Sequence, residues 1–383
     1  MRVKSLLICL MCTLTFGVNA QRDYKGQILD AKTKEPLHYV NIGIVDKGVG
    51  TVSDEEGIFH LTLDKEVIVE DDVILFSSLG YGQKEIPVSE AVFVYNEYPE
   101  ILLTPSDIEL SEVVVTNDQL VPITEYVGYQ NNGNSSFGYW RDNIALGGEL
   151  ATKITAKKGP RQLNALEFEV WENPSDSVLV RINIYAKDGP LGRPQTNLNQ
   201  SNKNIITTLQ KGRGFVDVDL APYNIYVEDD FYVSLELLKV YGEAELGLVI
   251  AASNGDDGSY RKYASQDKWE RLSDINMAYY VETSPYVSQK QASRYEAKVQ
   301  KIREKQRMLS GFAIHNGKMM ANVTVENRRT REMVKTDAGG RYSIPVDKND
   351  ILFFTKEGYL KMFLQVKDQK FANALMKLGD AKP

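Results

Sequence analysis

Ser53-Asp54-Glu55-Glu56-Gly57-Ile58-Phe59, followed by Asp72-Val73-Ile74-Leu75-Phe76-Ser77-Ser78-Leu79-Gly80-Tyr81, has a counterpart near the other end of the chain. There the sequence reads Thr336-Asp337-Ala338-Gly339-Gly340-Arg341-Tyr342, then Asp350-Ile351-Leu352-Phe353-Phe354-Thr355-Lys356-Glu357-Gly358-Tyr359. In both copies Asp stands three residues before the turn Gly, an aromatic follows two residues later, and a second Asp stands eight before Gly-Tyr. A hydroxyl residue, an Asp and a Gly at this spacing suit a tight turn, because Asp accepts from the backbone just ahead of it and Gly takes φ > 0. The segments leaving the turns alternate, with Phe59, Leu61 and Leu63 on one face and Tyr342, Ile344 and Val346 in the second copy. Val73–Phe76 and Ile351–Phe354 are unbroken apolar runs, as in strands at the centre of a sandwich. Val40-Asn41-Ile42 and Asn322-Val323-Thr324-Val325 supply one more strand each. The repeat predicts two small β-sandwiches bracketing the chain.

Other residues around the first copy carry a resemblance. Gly26–Asp30, Thr33-Lys34-Glu35-Pro36-Leu37, Val40-Asn41-Ile42, Gly50-Thr51, Ser53-Asp54, Gly57-Ile58-Phe59 and Leu79-Gly80-Tyr81 together resemble the carboxypeptidase D regulatory-like domain, a transthyretin-like sandwich. The run Leu110-Ser111-Glu112-Val113-Val114-Val115 is similar to the segment that follows this domain in TonB-dependent outer-membrane receptors and other exported proteins of Bacteroidetes-type bacteria. The likeness covers about residues 22–116; the copy at 310–383 is shorter and lacks the Glu-Pro-Leu turn. The resemblance implies a non-catalytic folding or interaction module.

The 383 residues, 43% hydrophobic and 25% charged, suffice for two or three domains. Residues 1–20 read as a signal peptide: Arg2 and Lys4, then the apolar run Leu6–Phe16, then Val18-Asn19-Ala20 as a small-residue cleavage pattern. Cys9 and Cys12 both fall in that segment, which leaves a chain from Gln21 with no cysteine for a disulfide or a thiol catalyst. Bulky Ile8 and Met11 precede them where a lipid-attachment motif takes a small residue. The segment carries two cations and no acid, so the net charge of −7 becomes −9 after its removal. Acidity argues against nucleic acid as a partner. No later apolar run reaches the length of a transmembrane helix.

Catalytic patterns are missing from the sequence. A catalytic zinc site needs three protein ligands and an open position, yet Asn41 stands three residues after His38, Leu63 after His60 and Lys318 after His315. There is no Gly-x-Ser-x-Gly elbow, no phosphate-binding loop and no metal or cofactor motif.

The intervening region, 126–286, alternates through Leu166–Trp171, Val178–Tyr185, Phe215–Leu220, Phe231–Leu238, Leu246–Ala251 and Met277–Glu282, with turn residues between. This predicts a larger jelly-roll-like sandwich. Trp140, Trp269 and Tyr260 are its candidate ligand-binding residues, as flat platforms for sugar rings, whereas Trp171 at a strand end is expected in the core. Asp256 and Asp257 in a Gly-rich loop suit a plain turn better than a calcium site, since no spaced acidic series accompanies them. Ala292, Tyr295, Val299, Ile302 and Leu309 follow a 3,4 spacing broken only at Gln306 and predict one connector helix over 288–309. Seven cations against two acids give that stretch a local balance of +5.

The expectation is therefore an all-β chain: a signal peptide at 1–20, a small sandwich at 21–120, a larger one at 126–286, a helix, and a second small sandwich at 310–383. Two functional classes fit. One is an exported envelope binding or scaffold protein whose partner is a protein or a glycan. The other is an accessory of TonB-dependent transport, although no membrane barrel follows. A carboxylate-based glycan-active enzyme is a third, with no residue pair nominated.

Overall fold

The computed structural model describes residues 22–63, 67–97, 99–106, 120–131, 133, 135–141 and 145–379. The segment 1–20 and the run Leu110–Val115 lie outside these residues. The chain divides into two compact units, one of 1–116, 124–131 and 135–285, the other of 117–123, 132–134 and 286–383.

The first unit opens with a small sandwich. One layer orders Ile58–Leu63, Arg22–Asp30 and Glu100–Leu103, the last pair parallel; the other orders Val49–Val52, Asn41–Ile44, Val73–Ser77 and Lys84–Pro87. Phe59, Leu61, Ile42, Ile74 and Phe76 fill the space between them, as the alternation predicts. The helix α1, Val88–Glu97, packs Val88 and Ala91 into this core, although its short apolar run reads equally well as a strand.

The second unit repeats this topology. Arg341–Val346, Arg307–His315 and Ala374–Leu375 form one layer, again with a parallel last pair, and Met333–Lys335, Thr324–Asn327, Ile351–Thr355 and Met362–Gln365 form the other. The likeness reaches single atoms. Asp54 Oδ1 accepts from the amides of Glu56 and Ile58 at 3.0 and 2.8 Å, and Asp337 Oδ1 from those of Gly339 and Arg341 at 2.9 and 2.8 Å. Ser53 Oγ donates to Leu37 O and accepts from Val40 N, just as Thr336 Oγ1 links Met320 O and Val323 N. Asp72 and Asp350 each accept from the amide three residues back.

The helix before this second sandwich, α2, spans Gln289–Arg303 and starts with a capping box between Ser288 and Gln291. It is shorter than the predicted 288–309. Leu309 belongs to the strand Arg307–His315 and is fully buried there. Leu309 lies seven residues beyond Ile302, so this one inward residue of the strand falls on the helical stripe by coincidence.

The rest of the first unit is a large two-sheet sandwich. One sheet orders Ile205–Gln210, Ser177–Ala186, Phe231–Tyr241, Glu149–Ile154, Ser259–Lys262 and Glu270–Leu272. The facing sheet includes Phe137–Arg141, Gly247–Asn254, Arg161–Glu172 and Tyr280–Ser288. Trp140, Phe168, Phe231 and Tyr279 fill the middle, with the inward sets Val178, Val180, Ile182, Ile184 and Val233, Leu235, Leu237. The predicted run Met277–Glu282 is broken, since Ala278 and Tyr279 separate the strand Ile275–Met277 from Tyr280–Ser288.

Gly80 and Gly358 sit at φ +82 and +79, the left-handed backbone that a Gly before Tyr in both copies predicts. Valine at either position is expected to cost about 1–3 kcal/mol from strain. At Gly358 a Cβ meets nothing within 4 Å, so strain acts alone. At Gly80 it comes 3.1 Å from Asn202 Oδ1 of the large sandwich, an exposed side chain that must also shift slightly. Denaturant unfolding of the whole chain checks this; losses below about 0.5 kcal/mol at both sites would refute it.

Candidate functional site

Strand alternation sends Leu179, Arg181, Asn183 and Tyr185 to the face of the six-stranded sheet opposite its core. Register then aligns four charges across four strands: Arg181 faces Glu236, Glu236 faces Glu149, and Glu149 faces Lys262. The order plus, minus, minus, plus places two carboxylates side by side, an arrangement that is destabilising by itself. Each is offset by the cation on its outer side. Arg181 grips Glu236 with two bonds, Nε to Oε2 at 2.8 Å and Nη2 to Oε1 at 2.7 Å, and Lys262 Nζ reaches Glu149 Oε1 at 3.2 Å.

Polar neighbours complete the row. Asn183 Nδ2 donates to Glu236 Oε2 at 2.7 Å and to Glu149 Oε2 at 3.4 Å. Ser234 Oγ donates to Glu149 Oε2 at 2.7 Å, and Tyr185 Oη to the same carboxylate at 3.1 Å. Glu236 is 0% exposed, Glu149 2% and Arg181 5%. Burial, followed by the charge of Glu149, pushes the Tyr185 phenol well above its ordinary value, so it remains a donor. Burial works against the Arg181 charge, but Glu236 overcomes it and the net displacement is upward.

The first small sandwich covers the Arg181 end of this row. Arg181 also donates to Tyr39 O at 2.9 Å and to Asn41 Oδ1 at 2.6 Å. Gly48 N donates to Asp267 Oδ1 at 3.0 Å, and Gln266 Nε2 to Ser77 Oγ at 2.7 Å. Opposed glycines, Gly43 and Gly50, let the backbone at Ser265 come close; a Cβ on either would lie 2.4 or 2.3 Å from Ser265 O. Val52, Leu179 and Leu238 form a small apolar cluster across the same contact.

At the margin, Lys239 pairs with Glu55, which also accepts from Tyr241 Oη at 2.7 Å. The hydrogen bond from Lys239, then that from Tyr241, lowers the Glu55 carboxyl to about 2. A depressed folded-state value means stabilisation that is present above the unfolded value near 4.5 and lost as pH falls through about 2. The stability difference between the native chain and Glu55→Gln is therefore expected to shrink steadily between pH 5 and pH 2. A constant difference in thermal midpoint over that range would rule the linkage out.

Beside the row the two sandwiches leave a cleft of about 470 Å³. Asn41, Ser77–Tyr81 and Gln83 line it from the small module, and Tyr185, Gln195, Asn197 and Lys262 are among the lining residues of the large one. Glu149 is the one carboxylate in the lining.

The sequence-predicted platform residues are dispersed. Trp140 is fully buried in the central core and its indole N–H donates to Gly148 O at 3.2 Å, so it presents no platform. Its polar flanks, Tyr139 and Arg141, are the outward set of the same strand. Trp171, expected inside, is half-buried on the outer face with its ring 6.4 Å from Phe137. Tyr260 is buried edge-on against Tyr232. Trp269 is half-buried next to the charge row, edge-on to Tyr185 at 6.0 Å with Lys262 Nζ 4.3 Å from its ring centre. Asp256 pairs with Arg271 and Asp257 accepts from Asn276, as a protein-satisfied turn would. Among the described residues no group of three His, Cys, Asp or Glu could hold a metal ion, and no helix is long and apolar enough to cross a membrane.

Residues 24–115 match the family model described as the CarboxypepD_reg-like domain. No curated protein matches the chain. Among solved structures, one similar chain holds the cysteine protease and lectin-like domains of Cwp84, a surface layer associated protein of Clostridium difficile, at 10% identity and a TM-score of 0.29. That alignment covers 65% of this chain and 59% of that one, less than two thirds of its length. Another is BcpA, the major pilin subunit of Bacillus cereus, at 8% identity and a TM-score of 0.16, covering 94% of this chain and all of that one. At these TM-scores neither likeness bears on how this chain works.

Proposed function

We propose that this chain, which carries a CarboxypepD_reg-like domain at residues 24–115, is an exported, non-catalytic binding or scaffold protein of the cell envelope. In this reading the small first sandwich and the large sandwich act as one body and hold a ligand in the cleft between them. The observation that carries it is the row Arg181–Glu236–Glu149–Lys262, buried at its first three members and tied through Arg181 to Tyr39 and Asn41 of the small module. Such a tie fixes both walls of the cleft, and a preformed cavity is what a binding site needs. Hydrolysis by paired carboxylates needs both to reach the substrate. Glu149 lines the cleft, but Glu236 lies fully buried under Arg181.

Export rests on the basic start, the apolar run and the Val18-x-Ala20 pattern, and the location is the periplasm or the periphery of the outer membrane. Fractionation of native protein is expected to find it in the envelope with Gln21 at its N-terminus; a cytoplasmic pool beginning at Met1 would contradict this. Filling the cleft by Ser78→Trp, with an unchanged thermal midpoint, is expected to abolish retention of the chain's ligand from envelope extracts. Undiminished retention would move the binding site elsewhere.

A further inference from the structure

We infer that the cleft takes an uncharged, hydroxyl-rich ligand, a segment of neutral glycan; this deepens the reading of the cleft as the binding site and rests on it. The charges in the lining are already closed: Arg181 is held by Glu236 and Lys262 by Glu149, so an ionic ligand meets no unpaired charge of opposite sign there. Asn or Gln stands at seven of the seventeen lining positions, and five of these, Asn41, Asn183, Asn197, Asn204 and Gln266, already bond protein groups with at least one end of the amide. An amide side chain offers donors and an acceptor together, the complement of a hydroxyl that also does both. Gln83 and Gln195 come from the two opposite walls, are exposed, and make no side-chain hydrogen bond among the described residues.

Aromatic surface is present on both walls as well. Tyr81 Oη donates to Asp30 at 2.9 Å and Tyr185 Oη to Glu149, so both lining rings are pinned by their hydroxyls. Trp269 braces Tyr185 edge-on. Pinned rings among amides suit the alternating C–H and O–H surface of a sugar better than an apolar ligand, which needs a mainly apolar lining.

The test uses the chain from Gln21 on an array of neutral and anionic oligosaccharides, followed by titration calorimetry of the best binder at 50 and 500 mM salt. A neutral oligosaccharide is expected, with affinity changing less than about twofold between the salts, since no ion pair forms. Gln83→Ala and Gln195→Ala should each weaken binding by about 3- to 10-fold, the loss of one neutral hydrogen bond, without moving the thermal midpoint. Preference for uronate or sulfated sugars with strong salt dependence overturns the proposal, as does the absence of any glycan binder or binding that both variants leave unchanged. A protein ligand lost on Ser78→Trp and on the two Gln variants overturns the glycan assignment alone and leaves the cleft as the binding site. A glycan bound with full affinity by Ser78→Trp would instead sink the cleft itself.

Discussion

Arg181→Met is expected to destabilise the chain by about 3–5 kcal/mol, the usual cost of leaving a buried charge without its partner. The guanidinium supplies both bonds that neutralise fully buried Glu236 and two more to the small module. Methionine fills similar space and supplies none of them. The double variant Arg181→Met with Glu236→Leu should recover most of the loss, because no charge is then stranded. Denaturant unfolding of the native chain, Arg181→Met, Glu236→Leu and the double variant measures the coupling directly. If the single variant lies within about 0.5 kcal/mol of the native chain, or the double variant is no better than the single, the charge row does not have this role.

Gly50→Val is expected to separate the two sandwiches while each remains folded. A Cβ there would stand 2.3 Å from Ser265 O, a contact between main chains that no rotamer change relieves, and the opposed Gly43 leaves no slack on the neighbouring strand. Overpacking of this kind costs about 1–3 kcal/mol or more, concentrated at one contact. The result should be a second unfolding transition and faster amide exchange at 41–52 and 263–268, with the central core still protected. A single cooperative transition with native exchange rates would show that the hairpin simply shifts.

The second module illustrates why that contact is special. Its residues at the places of Gly43 and Gly50 are Glu326 and Met333, paired across the hairpin in the same register. Two copies of one fold therefore carry different surfaces there. The turn chemistry is shared by both, and so was legible: Asp54 and Asp337, Gly57 and Gly340, Gly80 and Gly358 do their work within a few residues of chain, where spacing is informative.

Around Trp140 the sequence points to an exposed ring because its neighbours are its opposites in direction, and an edge strand shows its polar face at every other residue. Arg181, Asn183 and Tyr185 carry no functional signal in the sequence for the converse reason. On alternation they belong to a wet face; Arg181 is covered by Tyr39 and Asn41 of another module, while Asn183 and Tyr185 are engaged by Glu149 and its neighbours on their own sheet. A polar set on a central strand of a large sheet is the one local hint, and it says that something lies over the strand without saying what. Gln83 and Gln195 give no hint at all, since each becomes a cleft residue only when walls distant in sequence meet.

The bonds joining those walls span long stretches of chain: 142 residues from Tyr39 to Arg181, 184 from Glu55 to Lys239 and 219 from Gly48 to Asp267. Synthesis runs from the N-terminus, so the first module emerges well before the strand and loop that must cover it. Contacts of such sequence separation form late, after the entropy of closing the intervening loop has been met. Until then the glycine hairpin, Tyr39 and Asn41 face water as an open surface, exposed to misassembly with other chains. The part made first is thus the part completed last, and its maturation waits on the central sheet.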